Sequence, residues 1–177
     1  MSVDRAQTDL VRRARNGDGP AFAELITPEY RGAVRLAYAL LHSLDEAEDV
    51  VQEAAFKAWR KLGNLRDAAP LRPWFLAIVA NDCRSLQRTR WWSGRTDEDV
   101  PDAEADAVDV AATVDLRRAL AHLDYDQRLI LVLRYYLDMP FDEIALTLAI
   151  TPKAARSRVE RAVNRLRPVL RTQEAVT

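Results

Sequence analysis

The sequence predicts an all-α protein of two helical domains joined by a flexible acidic linker, the C-terminal domain being a helix-turn-helix. Three observations predict it. Glycine is scarce, 5 in 177 residues, alanine, leucine and arginine are abundant, and no period-two apolar run or Gly-rich hairpin signal is present. Composition changes between Thr89 and Thr113, where an acidic, alanine-rich run holding Pro101 interrupts the helical periodicity. Finally, residues 142–167, DEIALTLAITPKAARSRVERAVNRLR, contain two helical patterns split at Ile150-Thr151-Pro152. The predicted division is residues 1–92, a linker over 93–113, and residues 114–177.

From the N-terminus, Thr8 or Asp9 can cap a first helix carrying Leu10, Val11 and Ala14, which Asn16-Gly17-Asp18-Gly19-Pro20 ends. A second helix starts near Pro20 with Phe22, Leu25 and Ile26, and Pro28 breaks or bends it. Arg31 to Leu41 then forms a third helical stretch. Asp45 to Leu62 carries the apolar stripe Ala47, Val50, Val51, Ala54, Ala58 and Leu62. Glu46, Asp49 and Glu53 recur along another side of it, with Gln52 adjacent. Two accounts fit these acids: a solvated face favoured by the helix dipole, or a docking face for a basic partner.

Gly63 to Arg72 lacks periodicity and is expected to be a loop, after which Pro73 opens a helix with Phe75, Val79, Cys83 and Leu86 on its apolar side. Asn81, Arg84 and Arg88 lie within roughly 60° of one another, with Trp74 near that arc. An aromatic, an amide and arginines suit a single or melted nucleic-acid strand, although Trp74 also fits as core. Trp91-Trp92, unusual for a linker, is expected to pack on the first domain and mark its end. About 20 extended residues beyond it could span roughly 65 Å. Val114 to Leu123 and Gln127 to Leu137 are expected to be helices that brace the helix-turn-helix.

In the second pattern of residues 142–167, Thr151 is placed as N-cap and Pro152 at the first helical position. Ala155, Val159, Ala162, Val163 and Leu166 share one face, and Arg158, Arg161 and Arg165 another, with Ala154 and Ser157 beside them. Small residues let a helix enter the major groove, and arginine reaches both base edges and phosphates. An amphipathic surface helix with solvated arginines is the plainer alternative.

Net charge is only −1, which excludes indiscriminate coating of nucleic acid, but its distribution is uneven. Residues 97–115 hold eight acids and no base, whereas Lys153 to Arg171 is basic. The single Cys83 and the separated His42 and His122 offer neither a disulfide nor a metal-ligand spacing. No nucleophile–base pair or phosphate loop is visible, so we expect no enzyme activity, no catalytic residue, no metal and no cofactor. Neither a signal peptide nor an apolar run of membrane-spanning length is present, and the expected location is the cytoplasm, without membrane insertion.

Three motifs now carry a family resemblance: DEAEDVVQEAAFKAW from Asp45, PWFLAIVANDCRSLQR from Pro73, and LDYDQRLILVLRYYLDMPFDEIA running into TPKAARSRVERA. In this order and at this length the chain resembles the bacterial RNA polymerase sigma factors of the extracytoplasmic-function (ECF) type, over about residues 8 to 168. The resemblance implies a factor that binds core RNA polymerase and promoter DNA, with an anti-sigma factor as a further candidate partner. It implies polymerase contact through Asp49, Gln52 and Glu53, and −10 contacts through Trp74, Asn81, Arg84 and Arg88, with the 63–72 loop forming a pocket for a flipped base. It implies −35 contacts through Lys153, Arg156, Ser157, Arg158, Arg161 and Arg165. Lys153-Ala154-Ala155 departs from the family's usual Gly-Thr-Val, Asp124 from its proline, and Val163 from its basic residue. A stand-alone helix-turn-helix regulator that binds operators without polymerase is the competing expectation.

Overall fold

The structure, a computed structural model, describes residues 2–65, 70–92, 120 and 123–174. The chain divides into two compact units, Met1–Asp99 and Val100–Thr177. Every regular element among the described residues is helical. The predicted linker, the helix from Val114 to Leu123 and the middle of the 63–72 loop fall largely outside the described residues.

The first unit holds α1 (Ser2–Arg15), α2 (Gly19–Leu41), α3 (Leu44–Lys61), a single 3-10 turn (Leu62–Asn64) and α4 (Leu71–Trp92). Helix α1 starts before Thr8 and Asp9, so neither caps it; that cap expectation is corrected. Its end is as the sequence predicts. Gly17 takes φ 90°, a left-handed conformation that glycine adopts without Cβ strain. Asp18 caps α2 by accepting from the Ala21 N–H at 3.0 Å and pairs with Arg13 at 2.7 Å. These two bonds hold the Asp18 carboxyl below its ordinary range, the Ala21 N–H contributing most.

Pro28 does not break α2, which runs 23 residues through it. Leu25 and Ile26 before the proline, and Ala33, Leu36, Ala37 and Leu40 after it, are all buried. That shared burial outweighs the roughly 3 kcal/mol that an interior proline costs. Left-handed His42 (φ 60°) and the Ser43 cap then turn the chain into α3. There Ala47, Ala54 and Ala58 are fully buried, and such small side chains let helices approach closely.

Helix α4 starts at Leu71, two residues earlier than predicted, which puts Pro73 in the first turn where an N–H has no helical partner anyway. Phe75, Leu76, Val79 and Cys83 are buried, and Leu86 is only half-buried. The helix continues through Trp91, whose side chain is 72% exposed rather than packed into the domain, while the side chain of Trp92 lies outside the described residues.

The second unit holds α5 (Tyr125–Leu131), a π-helical turn (Val132–Tyr136), α6 (Phe141–Leu148) and α7 (Pro152–Glu174). Asp124, the residue that departs from the family's proline, closes a capping box. Its carboxylate accepts from the Gln127 N–H at 2.8 Å, and the Gln127 side chain accepts from the Asp124 N–H at 3.4 Å. The predicted helix over 127–137 therefore begins earlier and ends in the π turn, where the Leu137 N–H donates to the Val132 carbonyl at 3.0 Å.

Helix α6 ends on left-handed Ala149 (φ 52°), and the Ile150 N–H donates back to the Ala145 carbonyl at 2.9 Å. Thr151 caps α7 as predicted, accepting from the Ala154 N–H at 3.1 Å. Ala155, Val159, Ala162 and Leu166 of α7 are buried with Ile144, Ala145, Leu129, Ile130 and Leu133, as α7 packs on both α5 and α6.

Replacing Asp124 by Ala removes both halves of the capping box. Urea unfolding followed by circular dichroism is expected to show a loss of about 1 kcal/mol, whereas Asp124→Asn, an equally good cap, changes stability far less.

Candidate protein and nucleic-acid interfaces

In the first unit, burial of Val50, Val51, Ala54 and Ala58 turns the opposite side of α3 outward, and Asp49, Gln52 and Glu53 are all exposed there. Glu46 leaves this acidic stripe, because its carboxylate pairs with Arg90 of α4. Glu53 reaches Lys57 at only 3.7 Å, while Lys57 sits 2.8 Å from Asp82 of α4. The Asp82 bond raises the Lys57 ammonium above its ordinary range, Glu53 adding less.

Next to the acids lies Phe56, 55% exposed, with the Arg60 guanidinium 5.8 Å from its ring centroid. The sequence reading missed it. Its offsets of three and four residues from Glu53 and Gln52 were the available signal.

On α4 the −10 candidates come together as the spacing predicts. Trp74, Asn81 and Arg88 recur every seven residues and line up along the helix, about 10 Å apart, with Arg84 at the edge of the row. Asn81 and Arg88 are exposed, while Trp74 and Arg84 are half-buried. Trp74 is therefore neither wholly core nor a free platform. Arg15 braces the chain before this helix by donating to the Leu62 carbonyl at 3.2 Å and to that of Leu65. Residues 66–69 of the predicted pocket loop lie outside the described residues, and its two ends belong to the 3-10 turn and to α4.

In the second unit Lys153, Arg156, Ser157, Arg158, Arg161 and Arg165 are all exposed on α7. They do not form one uniform surface. With Ser157 as the centre of the outward side, Lys153 and Arg161 fall within about 40°, and Arg156 and Arg158 lie about 100° to either side. Arg156 turns toward α6, its guanidinium 4.7 Å from the Phe141 ring centroid. Arg134 of the π turn is 5.1 Å from the same ring and donates to the Met139 carbonyl at 3.1 Å. Arg158 and Arg161 instead line a cleft of about 250 Å³ with Asp124, Asp126, Gln127 and Ile130. Sequence periodicity gave the exposure of the arginines but none of these partners, which come from other helices.

A short helix, a left-handed turn and a capped, arginine-bearing second helix define a DNA-binding helix-turn-helix protein. Comparison with known proteins narrows the class. The model for Sigma-70 region 2 matches residues 25–93, and that for Sigma-70, region 4 matches residues 113–166. The chain is 30% identical over 184 residues to the RNA polymerase sigma factor NccH of Alcaligenes xylosoxydans xylosoxydans, covering 98% of this chain and 97% of that protein. It is 32% identical over 166 residues to the ECF RNA polymerase sigma factor SigL of Mycobacterium tuberculosis, covering 88% and 94%.

Among solved structures, CnrH in complex with the cytosolic domain of CnrY matches with TM-score 0.73 at 26% identity, covering 94% of this chain and 98% of that one. The sigma factor RpoE of Bartonella quintana, in complex with the anti-sigma factor NepR, matches with TM-score 0.66 at 26% identity, covering 85% and 96%. The chain belongs to the RNA polymerase sigma factors, in the ECF group. It is an RNA polymerase-binding, promoter-specific initiation factor, and the matches to both units displace the stand-alone regulator.

Cys83 lies two positions from Asn81 on the buried side of α4, where burial, reinforced by Asp82, pushes its thiol up to about 12. The shift is upward, so at pH 8 the native thiol is protonated. Ellman's reagent is expected to leave Cys83 untouched in the native protein at pH 8 and to titrate it fully in guanidinium chloride.

Proposed function

We propose a division of labour in which residues 1–92 dock on polymerase and hold the melted −10 strand, while residues 114–177 grip the −35 duplex. The observation that carries it is the opposed chemistry of two parallel-built surfaces. On α3 the outward side is acidic with an exposed ring, which suits a basic protein surface and repels DNA. On α7 the outward side is basic with small leading residues, which suits the major groove. Asp49, Gln52 and Glu53 are the polymerase contacts, with Phe56 as their apolar anchor.

Along α4, Trp74, Asn81, Arg84 and Arg88 face the −10 strand. A ring, an amide and two guanidiniums match a stacked base, a base edge and backbone phosphates in turn. Capture of an extruded base offsets an unstacking cost of a few kcal/mol and so favours the open state. On α7, Lys153, Ser157 and Arg161 face base edges. Arg156, Arg158 and Arg165, on the flanks, reach the phosphates that set the register. Residues 93–113 tether the two grips and raise the effective concentration of the second once the first has formed.

The protein acts by binding alone, in the cytoplasm, with no chemistry of its own. An anti-sigma factor is its proposed regulator, since the similar sigma factor RpoE is held in complex with the anti-sigma factor NepR.

Two experiments test the assignment. Asp49→Arg combined with Glu53→Arg reverses the docking charge and is expected to abolish co-purification with core polymerase while leaving the circular dichroism spectrum unchanged. Retained binding would move the docking face elsewhere. Arg161→Ala is expected to weaken −35 recognition by the holoenzyme by about 1–3 kcal/mol at one base pair. That is measured by run-off transcription on promoters varied at each −35 position.

A further inference from the structure

We infer that Glu160 is a specificity-determining residue of the −35 reader, its carboxylate accepting a hydrogen bond from the exocyclic amine of a cytosine in the major groove. The inference rests on the reading of α7 as the groove-entering helix.

Glu160 is exposed on α7 about 60° from Ser157, next to Asn164 one turn on, and inside the outward arc rather than on its flank. A carboxylate at that place is repelled by phosphates and gains nothing from the backbone of DNA. Its natural helical partner is Arg156, four residues earlier. That guanidinium is instead drawn to the Phe141 ring, with Arg134 on the same ring. Among the described residues Glu160 makes no ion pair. The fold therefore leaves an acceptor-only group on the outward side of an otherwise basic helix.

The major groove offers two donors, the N4 amine of cytosine and the N6 amine of adenine. Adenine sets its N7 acceptor next to N6, which opposes a carboxylate. Cytosine presents its amine with no acceptor on its own ring beside it, so cytosine is the base that Glu160 selects. The same carboxylate weakens contact with every site lacking a donor there, so it discriminates by repulsion as well as attraction.

The test uses holoenzyme reconstituted from the full chain and bacterial core polymerase, transcribing a promoter library randomised through the −35 region, with sequencing of the transcripts. Wild type is expected to favour cytosine about tenfold at one position. Glu160→Gln, nearly the same shape, is expected to move that preference to adenine, which an amide reads through N6 and N7, and to leave other positions unchanged. Glu160→Ala is expected to flatten that position alone.

If both variants raise transcription from all sequences alike and keep the wild-type base profile, Glu160 is only a general repulsive charge and the inference is wrong. A profile that also survives Arg161→Ala would instead show that α7 does not read the groove, which overturns the underlying reading as well. Circular dichroism confirms that each variant folds.

Discussion

The contact between the back of α7 and the two helices before it is what the second unit depends on. Ala155, Val159, Ala162 and Leu166 are buried there, and two of the four are alanines. A seam of small side chains brings the helix in close, fixes its rotation about its own axis, and thereby decides which residues turn outward. A rotation of even one residue, about 100°, would exchange Ser157 for Arg158 at the centre of the exposed side. The turn that leads into α7 enforces the same choice. Left-handed Ala149 and the Thr151 cap set the path by which the chain leaves α6 and re-enters helix.

The first unit uses the same device for another purpose. Three buried alanines of α3 face inward, and the acids Asp49 and Glu53 and the ring of Phe56 are thereby turned outward. Cross-helix ion pairs sort the charges further. Glu46 goes to Arg90 and Lys57 to Asp82, which joins α3 to α4 at two levels. Glu46 is thereby taken out of the acidic stripe, while Asp49 and Glu53 remain exposed on the outer side of α3. Lys57 is mostly taken up by Asp82, so it neutralises Glu53 only weakly at 3.7 Å.

Within the second unit, arginines that look equivalent in the sequence have different surroundings. Arg156 rests on an aromatic ring, Arg158 faces carboxylates across a cleft, and Arg161 shares that cleft while donating to the Ser157 carbonyl at 3.4 Å. A guanidinium stacked on a ring is pre-positioned and loses less freedom on binding an anion than one moving freely in water. The π turn contributes too, since it sets Arg134 on Phe141 and lets Tyr135 and Tyr136 emerge side by side, 65% and 45% exposed.

The sequence by itself determined the helical class, the two-part organisation, the apolar face of nearly every helix, and the Thr151-Pro152 start of α7. Each of these follows from local propensity, capping chemistry and a 3.6-residue period, which act over a few neighbouring residues. It left open whether Pro28 breaks the helix, because whether a proline interrupts a helix depends on how much burial lies on either side, a property of the assembled core. The exposure of Trp91 was illegible for a similar reason, since no local pattern says which side chains at the end of α4 are covered. Tertiary structure alone decided that Glu46 is spent on Arg90, that Lys57 goes to Asp82, and that Arg156 is held by Phe141. Those choices require side chains far apart along the chain to meet, and only the packed helices bring them within reach.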